Sequence, residues 1–239
     1  MRGVILAGGL GTRLQPITRQ INKHLVPILN KPMVQYPLET LKAFGVTEIL
    51  IVTGGGHVGG FAEFFEDGSD YGVNLTYLAQ KKAGGIAQAL SLAEDFAHGE
   101  QITVILGDNI FGHVDTPHPL STEACIFVTP DVFDKSRFGV YRIAGGNPQI
   151  IEKPNRIMDW DMVVTGLYIY PPDVFDVIRQ MKPSARGEYE ITDVNDYYLK
   201  RHRLAVIPLA ADCFWSDAGV PESLYRAIRY VAKKEGLDS

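Results

Sequence analysis

Cysteine is nearly missing from this sequence: Cys125 and Cys213 are the only two in 239 residues. They stand far apart in apolar, strand-like stretches (Ala-Cys-Ile-Phe-Val and Asp-Cys-Phe-Trp), without Cys-x-x-Cys or His-Cys spacing. This argues against a disulfide framework or a zinc site and for two small buried thiols. No run approaches the ~18 consecutive apolar residues that span a bilayer, so no membrane partner is expected. The opening Met-Arg-Gly-Val-Ile-Leu-Ala-Gly-Gly meets glycine too early for a secretory signal, and a cytoplasmic location is the expectation. Excess positive charge is lacking as well: 23 Lys and Arg against 28 Asp and Glu give a formal net charge of −5. A nucleic-acid binder is usually basic or carries a dense Lys/Arg stripe, so no nucleic-acid partner is expected. Acid, however, is missing locally. Up to Leu38 the chain holds Arg2, Arg13, Arg19, Lys23 and Lys31 but no Asp or Glu, the first acid being Glu39. Such an opening suits phosphate, although a cationic run also occurs on solvated faces.

Repeats, linker-like tracts and coiled-coil heptads are absent too. What is there is an ordinary globular composition, 46% apolar and 21% charged. The length lies near the upper end of what one hydrophobic core supports, so residues 1–239 are expected to form a single domain. Short apolar runs alternate with helical patterns through the first half. Gly3 to Ala7, Glu48 to Thr53, Leu75 to Gln80 and Thr103 to Asp108 read as strands, and Met33 to Phe44 and Gly85 to Ala97 as helices. That alternation predicts βαβ units with right-handed crossovers. After Asp108, short runs at Ala124 to Thr129, Phe138 to Ile143, Gln149 to Glu152 and Val163 to Tyr170 suggest added antiparallel strands. Helices are expected over Pro172 to Met181, Tyr189 to His202 and Glu222 to Lys234, with a strand over Leu204 to Leu209. The expected fold is a Rossmann-like three-layer α/β/α arrangement, its mixed central sheet mostly parallel and carrying antiparallel additions in the second half.

Leu6-Ala-Gly8-Gly9-Leu-Gly11-Thr12-Arg13 follows the first strand. Its glycines let backbone N–H groups approach a ligand that side chains would otherwise block. No Gly-Lys-Ser/Thr closes it as in a Walker A loop, and Leu14 stands where a dinucleotide fingerprint needs its third glycine. Arg13 and Lys23 would supply cations to a triphosphate, one through a planar fork and the other as a point charge. A tight turn with surface cations is the plainer alternative.

The run from Gly3 through Thr12-Arg13-Leu-Gln-Pro16, with Asn22-Lys23-His-Leu-Val-Pro27 and Asn30-Lys31-Pro32-Met33, resembles the signature of sugar-phosphate nucleotidyltransferases, most closely the glucose-1-phosphate thymidylyltransferases. The resemblance continues through Gly85 to Ala89, Leu106-Gly-Asp-Asn109, Phe138-Gly-Val140, Glu152-Lys153-Pro154, Val164 to Tyr168, Arg186 to Asn195 and Trp215 to Gly219, covering nearly the whole chain. It implies attack by a sugar 1-phosphate, glucose 1-phosphate above all, on the α-phosphorus of dTTP, with Mg²⁺ as cofactor and pyrophosphate leaving. By the same resemblance Leu6, Gly8, Gly9, Gly11, Thr12, Arg13, Lys23 and Asp108 bind the nucleotide, and Gln80 and Gly85 read the pyrimidine edge. Asp108 and Asp217 hold the metal. Lys153 holds the sugar phosphate, and Glu152, Gly139, Gly166 and Glu190 line the sugar pocket. Arg13, Lys23, Asp108 and Lys153 carry the catalytic role.

Asp108 also ends a predicted parallel strand, where open α/β sheets bind ligands, and a carboxylate there suits Mg²⁺. The chain departs from the thymidylyltransferase pattern at His24, where Gln is common. Relatives often continue past the position of Ser239 with helices that help form a regulatory nucleotide site, so feedback control is left open. His57, His98, His113, His118 and His202 share no metal spacing and read as surface or structural. Three other readings stand beside this one: the same reaction with UTP or another hexose 1-phosphate, a catalytically silent nucleotide-sugar-binding protein, and a nicotinamide-dependent dehydrogenase. Homo-oligomer assembly is expected by analogy alone.

Overall fold

The computed structural model describes residues 1–117 and 119–237, so His118 and Ser239 lie outside the described residues. Strand and helix alternate at first: β1 (Arg2–Ala7), the short β2 (Pro27–Ile28) and β3 (Lys31–Pro32), α1 (Gln35–Ala43), β4 (Glu48–Gly54), α2 (Val58–Phe65), β5 (Asn74–Gln80), α3 (Ile86–Ser91), α4 (Glu94–Ala97) and β6 (Ile102–Leu106). The second half runs β7 (Ile110–Phe111), β8 (Ala124–Thr129), β9 (Gly139–Ala144), β10 (Asn147–Glu152), β11 (Met162–Tyr170), α5 (Val174–Gln180), α6 (Ile191–Leu199), β12 (Leu204–Pro208), β13 (Trp215–Ser216) and α7 (Pro221–Lys234).

Nine strands form one sheet, ordered β10-β9-β11-β6-β1-β4-β5, with β8 beside β11 and β12 beside β8. The strands β6, β1, β4 and β5 run parallel, whereas β11 is antiparallel to β6, β8 and β9. This is the mixed sheet that the sequence suggests, with one parallel pairing in the second half, β8 with β12. Alternate residues of β1 enter opposite cores: Val4 and Leu6 pack beneath α3, α5 and α6, while Ile5 packs with Leu38 and Leu41 of α1 and Phe61 and Phe65 of α2. A strand buried on both faces must be apolar throughout, which is why it reads as an unbroken run. A third cluster joins Leu14, Val26, Ile28 and Met33 to Ala227 and Val231 of α7, a helix begun by Pro221, whose missing N–H costs nothing in the first turn. No helix among the described residues is long and apolar enough to cross a membrane.

Several boundaries differ from the sequence reading. The expected helix from Gly85 to Ala97 is broken into α3 and α4, because Leu92 and Ala93 donate to Ala89 and Leu90, three residues back, and such bonds overwind a helix. Helix α2 carries Gly59 and Gly60, poor helix formers that mask it in the sequence, and buried Phe61 and Phe65 on one face hold it. Cys125 is buried in β8 as expected. Cys213 is only half-buried and lies in the loop before β13, not in a strand; both thiols are free.

Candidate active site

The order of the parallel strands reverses at β1, with β4 on one side and β6 on the other. Open α/β sheets bind ligands in the crevice outside the carboxyl ends of such strands. There the chain forms a cleft of about 400 Å³. Of the residues singled out in the sequence, Leu6, Gly8, Gly9, Arg13, Lys23, Gln80, Gly85, Asp108, Gly139, Glu152, Lys153, Gly166, Glu190 and Asp217 all line it; Gly11 and Thr12 do not. Gly11 instead turns the loop at φ 64°, packed over the Lys23 side chain, and Thr12 starts a short 3₁₀ turn. The cationic opening also divides. Arg13 and Lys23 reach the cleft, whereas Lys31 pairs with Glu39 at 2.9 Å and Arg2 stacks over Phe96.

On the β1 side, close approach explains the glycines. A Cβ on Gly8 would sit 2.5 Å from Oε1 of Gln80, so the loop lies directly against the Gln80 amide. That amide donates to Gln88 Oε1 at 2.6 Å, which fixes its orientation toward the cleft. Gly85 adopts φ 95°, and a Cβ there would lie 2.5 Å from the Tyr189 carbonyl oxygen. Ala87 N–H donates to that same oxygen, so the start of α3 is pinned to the segment that carries Glu190.

At the end of β6, Asp108 Oδ2 accepts from Lys23 Nζ at 2.5 Å and Oδ1 from Asn109 at 2.8 Å. Burial alone would raise the Asp108 carboxyl, but Lys23, then His24, and the hydrogen bonds from Lys23 and Asn109 bring it below the usual carboxylate range. Asp217 follows β13, which pairs with β7 just beyond Asp108, and it is ion-paired to Arg137. Both acids face one point: a Cβ on Gly219 would stand 3.1 Å from Asp217 Oδ2 and 3.7 Å from Asp108 Oδ2. Two hard oxygen donors from distant segments fit Mg²⁺, whose other positions are filled by phosphate oxygens and water. No group of three or more His, Cys, Asp or Glu suited to a metal occurs among the described residues, so the substrate would have to complete the shell.

Across the cleft, Glu152 Oε2 accepts from Thr192 at 2.6 Å and Oε1 from Arg186 at 3.1 Å. Lys153 stands 3.6 Å from the same carboxylate. Its backbone is left-handed at φ 42°, a strained state for a residue with a side chain and common at functional sites. Ala218, beside Asp217, is similar at φ 39°. Buried Glu190 accepts from Ser184 at 2.8 Å and from Arg186 at 2.9 Å.

The sequence reading missed the residues that connect these groups. Asn109 Oδ1 accepts from Gly166 N at 2.9 Å and from Trp215 Nε1 at 2.8 Å, joining the Asp108 turn, the β11 bulge between Val164 and Tyr168 and the segment leading to Asp217. Arg137, Arg186 and Thr192 also line the cleft. Each falls within or beside a stretch of family resemblance, but only contacts distant in sequence reveal what it holds.

A family model described as nucleotidyl transferase matches residues 2–234, and the chain belongs to that family. It is 38% identical to a glucose-1-phosphate thymidylyltransferase from Neisseria meningitidis serogroup A, covering all of this chain and 85% of that one. A protein of the same name from an Actinoplanes species is 40% identical, over 97% of this chain and 78% of that one. Among solved structures, a Bacillus anthracis protein described as a glucose-1-phosphate thymidylyltransferase, in complex with a sucrose, superposes with a TM-score of 0.87 at 44% identity. That match covers 96% of this chain and 94% of the other. A UDP-glucose pyrophosphorylase complexed with UDP-glucose gives a TM-score of 0.82 at 26% identity, covering 98% of both chains.

Proposed function

We propose that this chain, acting as one catalytic domain over residues 1–239, is a glucose-1-phosphate thymidylyltransferase that condenses dTTP with α-D-glucose 1-phosphate to give dTDP-glucose and pyrophosphate. The observation that carries this reading is the convergence of Arg13, Lys23, Asp108, Lys153 and Asp217 on one cleft. A phosphate oxygen of the sugar attacks the α-phosphorus of the nucleotide; the new P–O bond forms as the bond to the β-phosphate bridge breaks. Two polyanions must meet, and at an effective dielectric near 20 each pair of unit charges about 4 Å apart repels by roughly 4 kcal/mol. Neutralisation and alignment therefore supply most of the catalysis, as in other phosphoryl transfers.

Arg13 and Lys23, with the backbone of Gly8 and Gly9, lie along the triphosphate. Gln80 and the backbone at Gly85 read the pyrimidine edge. Lys153, with Arg186 nearby, holds the sugar phosphate for in-line attack, while Glu152, Glu190, Gly139 and Gly166 shape the sugar side. Asp108 and Asp217 would hold Mg²⁺, which supplies positive charge to the reacting phosphate oxygens. A cytoplasmic homo-oligomer is part of the proposal, by analogy with the family. Use of UTP is the second reading, supported by the likeness to a UDP-glucose pyrophosphorylase. One methyl group separates thymine from uracil, worth about 1–3 kcal/mol in a pocket.

Purified protein with dTTP, glucose 1-phosphate and Mg²⁺ is expected to release pyrophosphate, with kcat/KM about tenfold or more higher for dTTP than for UTP. A better UTP substrate would favour the second reading. No pyrophosphate from any triphosphate with any hexose 1-phosphate would overturn both.

A further inference from the structure

The two oxygens that converge on Gly219 are Asp217 Oδ2 and Asp108 Oδ2, and both are already held by cations. Lys23 Nζ lies 2.5 Å from Asp108 Oδ2, and Arg137 Nη2 is paired with Asp217 Oδ2. Neither pair is freely solvated: the side chains are 13% and 14% exposed in the first, 23% and 13% in the second. A divalent ion between these acids therefore competes with Lys23 and Arg137 for the same oxygen atoms.

Arg137 is seated on an aromatic surface beside the cleft. Its guanidinium carbon lies 5.0 Å from the centre of the Phe138 ring, and that ring packs edge-on against Trp215 at 5.3 Å, so the planar group has a fixed surface beneath it. Only part of its donor fork is engaged, since Nε is buried without a hydrogen-bond partner. Arg137 lines the cleft, and a guanidinium there suits the bidentate geometry of phosphate oxygens. Arg13 and Lys153 line the same cleft, which keeps a polyphosphate within its range.

We infer that Arg137 is a positioning residue that controls metal loading: it holds Asp217 until a polyphosphate draws the guanidinium onto its own oxygens, so metal and nucleotide enter the site as mutually dependent ligands. The inference rests on the family activity proposed above. Linkage makes the dependence reciprocal, the nucleotide raising the affinity for metal by the factor by which metal raises the affinity for nucleotide.

The test is a Mn²⁺ titration followed by electron paramagnetic resonance, with and without the non-hydrolysable α,β-methylene analogue of dTTP. The wild type is expected to bind Mn²⁺ weakly alone and about tenfold or more tightly with the analogue. Arg137→Gln is expected to bind Mn²⁺ alone about tenfold more tightly than wild type, with a smaller effect of the analogue. Arg137→Lys should return toward wild type, and adding Asp217→Asn to Arg137→Gln should abolish the gain. Equal or weaker Mn²⁺ binding by Arg137→Gln without nucleotide overturns the inference, because a merely structural arginine leaves affinity unchanged or lowers it. The two failures are separable: a wild type that releases pyrophosphate while Arg137→Gln leaves Mn²⁺ affinity unmoved sinks only the role of Arg137, and a wild type without pyrophosphate release sinks the activity.

Discussion

His24 illustrates how much of this site is decided one residue at a time. It is buried between the glycine loop and the Asp108 turn, where its ring lies 2.8 Å from the point that a Cβ on Gly107 would occupy. Nδ1 is 2.7 Å from Asn22 Oδ1; a carbonyl oxygen only accepts, so Nδ1 carries the proton. Burial first, then the positive Lys23, pushes the imidazole down to about 3, outweighing the raising effect of Asp108. Below its ordinary value of 6.5, the unfolded chain takes up a proton that the folded chain refuses until about pH 3. Stability contributed by neutral His24 is therefore complete above pH 6.5 and falls with pH through that window, by roughly 2 kcal/mol at pH 5. Asp108 adds its own loss only below the ordinary carboxylate value of 3.8, so the two effects separate. Urea midpoints of wild type and His24→Gln between pH 7 and pH 4.5 should show a steep fall in the wild type and a shallower one in the variant. Parallel curves would remove His24 as the cause. The sequence marks His24 only as a departure from Gln, and its neutrality comes from neighbours brought in by folding.

Among elements, the strands were the most legible. β1, β4 and β6 are apolar runs buried on both faces; Gly8 directly follows β1, and Asp108 lies in the turn two residues past the end of β6, where the sequence reading carries the strand on to Asp108. Helix α2 was hidden by its glycines, and β7 and β13, two residues each, are too short for any period to reveal, yet that pair brings Asp217 to Asp108. Gly85 was read as part of the nucleotide site for its place in a motif. The structure adds a second demand, since α3 begins against the Tyr189 backbone with no room for a side chain. Gly85→Ala should cost about 2–3 kcal/mol, from the positive φ and the forced separation of two backbones. It should also impair turnover by moving the Glu190 segment away from α3. An unchanged urea midpoint would show that the junction yields freely.

For the whole molecule, a net charge of −5 coexists with a cleft where Arg13, Lys23, Arg137, Lys153 and Arg186 gather. Lys153 stands on the side of the cleft remote from the glycine loop, so its effect should be confined to one substrate. Lys153→Ala is expected to raise KM for glucose 1-phosphate about tenfold or more while KM for dTTP changes little; equal increases in both would contradict the division of the cleft. By itself the sequence determined the parallel half of the sheet, the glycine-rich loop and the residue types of the site, because these depend on local periodicity and on motifs whose members are close along the chain. Only the tertiary structure decided that Asp108 and Asp217 face one point, that Asn109 ties three segments together and that Arg137 and Lys23 already hold the converging oxygens. Those facts are distances between groups up to 109 positions apart in number, from Asp108 to Asp217, and no local pattern in a chain carries the register of contacts that only the packed sheet creates.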